Sequence, residues 1–393
     1  MGKPLRITHF LPSIRLEAGG VVRAVLDWCT VFAARGHHVT LLTSDRTDCP
    51  AHWTDLAGAT PRVVTLPAPA RFGRLTKPAM SIAGEAIQSS DVLHLHAPWL
   101  PANPQLAGVA RLAGVPYLLT VHGMLDDWSM AQRAIKKKIY LKFFARKLLD
   151  DAAAVHCTAA AELRQAGKWF SNPRRLVLPY LVDLEPFCTL PPVDLAREAF
   201  PQLLRDEPCV LFLSRLHPKK GVEHLIRAAG ILRDQNVTCR TLIAGTGDEA
   251  YVETLKKLIV DLKLTDRVDL LGLVKGDLKL SLYQAADLFV LPTEQENFGL
   301  VLIESLACGT PVVTTRGVDI WEELQQAGAM IVEPAPAPLA ESIVTLLQSP
   351  TPSAHTGAGG RKWVFIHLDP AELTSKYEAA YRGEFRAKGK DEP

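Results

Sequence analysis

Leu5-Arg-Ile-Thr-His-Phe10, Gly19-Gly-Val-Val-Arg-Ala-Val-Leu-Asp-Trp-Cys-Thr-Val-Phe-Ala-Ala34 and His38-Val-Thr-Leu-Leu-Thr43 decide the architecture of this chain. The first and third pieces are short apolar runs of strand length. The middle one carries apolar residues at helical spacing, and Arg35-Gly36 closes it. Strand, loop, helix and strand in that order make a βαβ unit. Strands this apolar are expected in a parallel sheet covered on both faces.

Working outward, further strands are predicted at Arg62 to Leu66, Val92 to His96, Tyr117 to Val121, Ala154 to Cys157 and Leu176 to Leu178, with a helix from about Gln132 to Leu149. After the proline-bearing stretch Pro179 to Pro208 the plan restarts. Strands are predicted at Cys209–Leu213, Arg240–Ala244, Val268–Leu271, Leu288–Leu291 and Pro311–Thr314. Helices are predicted at Val222–Arg233, Tyr251–Leu262, Leu278–Ala285 and Leu300–Cys308. Gln348 to Gly360, rich in Pro, Ser, Thr and Gly, reads as a loop, and a last helix is expected at about Ala371 to Arg386. The fold class is therefore α/β, with two Rossmann-like domains expected to face each other across a cleft. The expected boundaries are 1–185, 207–365 and a C-terminal helix, 366–393, crossing back to the first domain. In open α/β sheets ligands bind beyond the carboxyl ends of the strands.

The chemistry-bearing residues fall at those ends. Leu291-Pro-Thr-Glu-Gln-Glu-Asn-Phe-Gly-Leu-Val-Leu-Ile-Glu304 places Glu296 in a loop before a helix and Glu304 within it. The free N–H groups of Phe298, Gly299 and Leu300 form a nest where the helix dipole favours an anion. A carboxylate ahead of such a nest can bond sugar hydroxyls, and the second can hold ribose hydroxyls. Taken alone, two glutamates at this spacing are more often a solvated helix residue and a charge at a helix start. Ser214-Arg-Leu-His-Pro-Lys-Lys-Gly221, after the first strand of the second domain, adds Arg215 and Lys220. A planar guanidinium and a compact ammonium suit a diphosphate. Single exposed cations in a loop mean little, but two cations and one helix start at the same sheet edge make an anion site.

In the first domain Gly19 and Gly20 open a helix where a backbone can approach a phosphate or a sugar. No G-x-G-x-x-G follows the strand, which disfavours a nicotinamide enzyme. Asp91-Val-Leu-His-Leu-His-Ala-Pro-Trp99 sets His94 and His96 on one strand face. We expect His94 to be a core histidine bonded to backbone and His96 to serve a substrate. No third ligand is apparent nearby in the sequence, so neither zinc nor another metal is expected. His122, in Thr-Val-His-Gly-Met, follows another strand, where it could bond a sugar or a departing phosphate or simply be a turn histidine.

Bulk properties narrow the field. A formal charge of +2 over 393 residues gives no basic excess for nucleic acid. The seven cysteines are scattered with no C-x-x-C pair, as free thiols in a reducing compartment would be. Ile7 to Leu11 is too short for a signal-peptide core, and no run approaches the ~20 apolar residues of a spanning helix. The expectation is a cytoplasmic protein.

With these pieces in place, the chain resembles the retaining GT-B glycosyltransferases of family four, the glycosyl transferases group 1. The resemblance runs over nearly the whole chain and is strongest from Val210 to about Glu323. The stretch Gly123-Met-Leu-Asp-Asp-Trp128 and its Lys-rich helix are similar to bacterial exopolysaccharide and lipopolysaccharide enzymes. The resemblance implies transfer of a hexose-type sugar from a UDP- or GDP-linked donor to a glycan or lipid-linked acceptor in cell-surface polysaccharide synthesis, with no cofactor. It implies that Arg215 and Lys220 neutralise the diphosphate, Glu296 bonds the transferred sugar and Glu304 holds the ribose. His122 would lie beside the sugar and Val274, in Gly272-Leu-Val274, at the base. The family often has Pro-Asn-Gly-Val-Asp at the hinge, where this chain reads Pro179-Tyr-Leu-Val-Asp183. Absence of a D-x-D sequence agrees with leaving-group stabilisation by cations and amides. A nucleotide-sugar epimerase of the same fold, or a non-catalytic carbohydrate-binding protein, are the competing readings.

Arg133, Lys136, Lys137, Lys138, Lys142, Arg146 and Lys147 interleave with Ile135, Ile139, Tyr140, Phe143 and Phe144. The plainer expectation is a helix that buries its apolar side and solvates its charges. The sharper one is peripheral contact with anionic lipid at the inner face of the plasma membrane.

Overall fold

A computed structural model describes residues 3–53, 60–204, 206–348 and 353–384. The chain divides into two compact units, Met1–Asp183 with Pro370–Pro393, and Leu184–Asp369.

The first unit is a seven-stranded, all-parallel sheet in the order β3-β2-β1-β4-β5-β6-β7. Its strands are β1 Arg6–Phe10, β2 His38–Thr43, β3 Arg62–Thr65, β4 Val92–His96, β5 Tyr117–Thr120, β6 Ala154–Cys157 and β7 Arg175–Val177. Every residue of β4, β5 and β6 is buried, which is why those strands read as unbroken apolar runs with only His and Thr inside them. The opening helix, Gly20–Ala34, buries Trp28 and Phe32 completely. The C-terminal helix, Pro370–Tyr381, belongs to this unit and buries Leu373, Tyr377 and Tyr381. It ends earlier than the expected Arg386, which lies outside the described residues.

The second unit is a six-stranded parallel sheet in the order β10-β9-β8-β11-β12-β13. It comprises β8 Cys209–Leu213, β9 Arg240–Ala244, β10 Val268–Gly272, β11 Leu288–Leu291, β12 Val312–Thr315 and β13 Met330–Val332. Strand order reverses between β8 and β11, so the loops leaving these two neighbours diverge around a crevice at the switch point. The proline-bearing stretch is not wholly irregular. Its short helix Asp194–Ala199 docks on Ser281, whose hydroxyl accepts from Ala196 N–H at 2.9 Å and donates to Pro192 O at 2.7 Å.

Two expectations about local structure fail for tertiary reasons. Gln348 ends a helix, 349–352 lie outside the described residues, and a further helix spans Ser353–His367, where a loop running to Gly360 is expected. The glycines there permit close approach to a neighbouring helix. A Cβ on Gly357 would lie 2.0 Å from the Gly309 carbonyl oxygen. The expected helix from Gln132 to Leu149 is divided: a short helix, Asp127–Ala131, precedes Arg133 at φ 52°, and Ala134–Tyr140, a π turn at Leu141–Ala145 and Arg146–Asp150 follow. Its buried side is made by Leu141, Ala145, Leu148 and Leu149. Ile135, Ile139, Phe143 and Phe144 are exposed by 78, 55, 65 and 53%, contrary to the expectation that the helix buries them. Among the described residues, no helix is long and apolar enough to cross a membrane.

Candidate active site

In the second unit the site is built from loops after adjacent strands, so residues 76 positions apart meet. The loop after β8 carries exposed Arg215 and ends in a turn, Pro218–Lys220, ahead of the helix Val222–Asp234. The loop after β11 carries Glu294 and Glu296. Glu294 N–H and the Thr293 hydroxyl both donate to the Lys219 carbonyl, at 2.8 and 2.9 Å. Between the loops there is no room for a side chain: Gly221 takes φ 67°, and a Cβ there would lie 2.0 Å from Pro292 O. Lys220, only 4% exposed, forms an ion pair with Glu296. Burial, with Lys219 and Arg215 close by, lowers the pKa of its ammonium, so holding that charge there needs an anion.

A third loop fixes the glutamate. Glu296 N–H donates to Gly317 O at 2.8 Å, and its carbonyl accepts from Asp319 N–H at 2.9 Å. Its Oε1 accepts from Asn297 N–H at 3.1 Å. Three residues later, Gly299 at φ 68° caps the helix Leu300–Ala307 with no side-chain capping bond. The first-turn amides of such a helix have no intrahelical acceptor, and the dipole is positive there. The side chains of Phe298 and Leu300 are buried and offer a ligand no contact at these positions.

Glu304 is 6% exposed and ionically paired. Its Oε1 accepts from Lys279 Nζ at 2.6 Å and its Oε2 from the Tyr283 hydroxyl at 3.2 Å. Lys279 and Tyr283 lie four apart on one face of the helix Gly276–Ala285, just beyond Gly272-Leu273-Val274. Sequence reasoning passed over both, although the i,i+4 spacing of a donor pair was there to be seen. Within that preceding loop Val274 is buried and Leu273 is half exposed.

In the first unit Gly19, at φ 105°, caps the opening helix without a side-chain bond. Its N–H is bonded to Leu16 O, and its carbonyl accepts from Val22 N–H. Gly20 is exposed. His122 lies just past β5 at φ 57° and is 7% exposed; each ring nitrogen has a partner, Nε2 with His96 Nδ1 at 3.0 Å and Nδ1 with the Tyr180 hydroxyl at 2.6 Å. Tyr180 stands where the family pattern of the hinge has Asn. Glu162, fully buried, accepts from Gly123 N–H at 2.5 Å and Thr158 N–H at 2.5 Å, which pins the turn after His122.

The other histidines depart from expectation. His96 is completely buried and bonded to His9 and His122, so it reaches a ligand only through His122. His94 is a core residue, but its partners are the hydroxyls of Tyr381 and Thr120, both at 2.7 Å, not backbone. A third imidazole is present after all. β1 pairs with β4 so that His9 stands opposite His94, and ligand atoms of His9, His94 and His96 lie within 4.8 Å of one another. Burial lowers His9 and His122 to about 3 and His156 to about 4, keeping these rings neutral.

The comparisons with known proteins agree with this division. Residues 19–180 match the Glycosyl transferase 4-like domain, and residues 196–363 match Glycosyl transferases group 1. A D-inositol 3-phosphate glycosyltransferase of Segniliparus rotundus is 26% identical over 392 residues, 93% of this chain and 86% of that protein. A GDP-mannose-dependent monoacylated alpha-(1-6)-phosphatidylinositol monomannoside mannosyltransferase of Corynebacterium glutamicum is 28% identical over 318 residues, 77% of this chain and 78% of that one. The crystal structure of Anabaena Alr3699/HepE in complex with UDP-glucose superposes with a TM-score of 0.76 at 18% identity, covering 95% of this chain and 98% of that one, a likeness of fold. Matched in each unit by one of the two family models, the chain belongs to the group 1, family-four glycosyltransferases of GT-B fold.

Proposed function

We propose that this glycosyltransferase moves a hexose, with retention of configuration, from a UDP- or GDP-linked donor to a glycan or lipid-linked acceptor in cell-surface polysaccharide synthesis. The observation that carries the reading is the ion pair of buried Lys220 with part-buried Glu296 beside the open start of the helix Leu300–Ala307. An ammonium that needs an anion, set at an anion-favouring helix end, suits a diphosphate; the carboxylate it releases suits sugar hydroxyls. Arg215 adds a second cation, and among the described residues no carboxylate is ion-paired with it. Glu304 receives the ribose, Val274 borders the base, and the amides of Phe298, Gly299 and Leu300 face the phosphates. On the first unit, Gly19, Gly20 and His122, the last backed by His96, are the residues we assign to the sugar.

As the sugar–phosphate bond lengthens, positive charge grows on the anomeric carbon and negative charge on the diphosphate. Lys220, Arg215 and the helix amides stabilise that leaving group; one such donor contributes about 3–4 kcal/mol. The acceptor hydroxyl attacks from the leaving-group side and passes its proton to a phosphate oxygen. Glu296 orients the sugar through its hydroxyls and forms no covalent bond to it. Thermal-shift measurements with UDP-glucose, GDP-mannose, UDP and GDP test the donor. A ligand at about 100 times its Kd raises stability by about 2.7 kcal/mol. Stabilisation by one nucleotide sugar, followed by transfer of its hexose, is expected; no shift with any of the four would overturn the site.

Contact with an anionic membrane is favoured by one observation. Exposed Ile135, Ile139, Phe143 and Phe144 share their helical segment with exposed Arg133, Lys136, Lys138 and Lys142, and none of these four cations has an ion-pair partner among the described residues. A shallow depression lies at its start, lined by Arg133, Ala134, Ile135, Lys136 and Ile139. Each Lys or Arg near an anionic surface contributes about 1 kcal/mol. Co-sedimentation with vesicles containing phosphatidylglycerol, but not with pure phosphatidylcholine, is the expected result, weakened by Phe143→Ser. Equal binding to both, or to neither, would remove the membrane from the reading.

A further inference from the structure

Five imidazoles lie on or just beyond β1, β4, β5 and β6, packed around Trp28. Their hydrogen bonds form two chains, and the direction of each chain follows from its end. In the first, the Tyr381 hydroxyl meets His94 Nδ1 at 2.7 Å, His94 Nε2 meets Thr120 Oγ1 at 2.7 Å, Thr120 Oγ1 meets His156 Nδ1 at 2.9 Å, and His156 Nε2 meets the Leu178 carbonyl at 2.9 Å. A carbonyl can only accept, so His156 carries its proton on Nε2. Its Nδ1 then accepts from Thr120, whose oxygen accepts from His94 Nε2–H, and Tyr381 donates to His94 Nδ1. His156 Nε2–H also faces the Tyr377 hydroxyl at 3.1 Å, which gives its own proton to the Pro179 carbonyl at 2.8 Å and so accepts here, leaving the direction of the chain unchanged.

The second chain joins His9 Nδ1 to His96 Nε2 at 3.1 Å, His96 Nδ1 to His122 Nε2 at 3.0 Å, and His122 Nδ1 to the Tyr180 hydroxyl at 2.6 Å. Its far end is His9 Nε2, buried and without a hydrogen-bond partner among the described residues. Buried N–H groups are rarely left without an acceptor, so His9 keeps its proton on Nδ1, where His96 accepts it, and has a lone pair at Nε2. His9 then donates to His96, His96 to His122, and His122 to Tyr180. His122 Nε2 is filled by an N–H, and the one polar hydrogen the ring can direct elsewhere is on Nδ1. The residue's φ of 57° is one that few non-glycine residues adopt, and the two ring bonds hold it there.

We propose that His122 serves the transferred group as a hydrogen-bond donor through Nδ1–H and not as a proton acceptor, and that His9 and His96 are the positioning residues that impose this tautomer. The group it meets is then an acceptor oxygen of the donor sugar, which takes over the bond now given to Tyr180. The proposal rests on the reading of His122 as a residue beside the sugar. A metal at His9, His94 and His96 would need lone pairs that the two chains already use at His94 and His96.

The test needs no substitution to begin. In full-length protein labelled with 15N-histidine at pH 7, long-range proton–nitrogen spectra are expected to show the Nδ1–H tautomer for His9, His96 and His122 and the Nε2–H tautomer for His94 and His156. An Nε2–H or doubly protonated His122, or stoichiometric zinc in the purified protein, would overturn the proposal. His96→Asn, which keeps an amide donor near the Nδ1 position, is expected to retain kcat. His96→Leu should lower kcat about 10–100-fold with little change in donor KM, the usual range for removing a group that orients a functional one. Unchanged kcat in a folded His96→Leu overturns the positioning role. Normal transfer by His122→Ala with the expected tautomers overturns the reading on which the proposal rests. A reversed tautomer in an enzyme that still needs His122 overturns the proposal alone.

Discussion

The two units place candidate residues at the ends of parallel strands, yet they hold them by opposite means. The second unit keeps paired charges: Lys220 with Glu296 and Lys279 with Glu304, all but Glu296 and Lys279 nearly sealed from solvent. The first unit keeps neutral rings, with five histidines in hydrogen-bonded chains under Trp28. The difference follows from what each must do. A buried cation is costly without an anion, so a loop proposed to receive a diphosphate does well to hold a carboxylate that can be exchanged for it. A neutral imidazole pays only for unmade hydrogen bonds, so several can be stacked deep in a sheet to hold one ring at its edge.

The charged half of this contrast is broken most directly at Lys220. Lys220→Met is expected to lower kcat/KM for transfer about 100–1000-fold, the usual effect of removing one donor to a developing anion. Activity within threefold of the parent would show that the pair is merely structural. Steady-state assays with the preferred nucleotide sugar decide it.

The neutral half is sharpened by pH. The folded pKa values of His9, His122 and His156 lie near 3, 3 and 4, below the ordinary 6.5 that applies when the chain is unfolded. Above pH 6.5 both states are neutral and the stability is whole. As pH falls below 6.5 the unfolded chain takes up protons that the folded one refuses, and stability drops until the folded pKa is reached. Between pH 6.5 and 5 each of these histidines costs about 2 kcal/mol. Amide exchange, corrected for its intrinsic rate, is expected to show β1 and β4 losing protection from pH 7 to 5 more steeply than β8 and β11. Parallel loss in both units would erase the contrast.

The smallest effect is expected at Lys279. Lys279→Met leaves Glu304 with Tyr283 alone and should raise donor KM about tenfold, roughly 1.4 kcal/mol, with kcat nearly unchanged, as loss of uniform binding does. An unaltered KM would separate Glu304 from the donor.

Much of the framework was legible in the residues. Val92–His96, Ala154–Cys157, Cys209–Leu213, Arg240–Ala244 and Leu288–Leu291 are strands with the ends that their apolar runs predict. The loops bearing Arg215, Lys220 and Glu296, and the helix after them that carries Glu304, were equally plain, because a motif at a strand end is a local pattern. Gly357 and Gly360 misled the reading: glycine marks a loop in sequence, but here it lets two helices touch. Ile139 and Phe143 misled it in the other direction, since helical spacing says which residues share a face and not whether anything covers it.

Periodicity and turn chemistry are properties of a few consecutive residues, so the chain alone determined its strands, its two-sheet plan and the loops that bear charge. Which groups meet was decided by strand order. His9 joins His94 and His96 because β1 lies against β4, Tyr381 joins them because the last helix returns to the first unit, and Lys220 finds Glu296 because β8 lies against β11. Such pairings span tens to hundreds of residues, and only the packing of whole sheets brings their atoms within hydrogen-bonding reach.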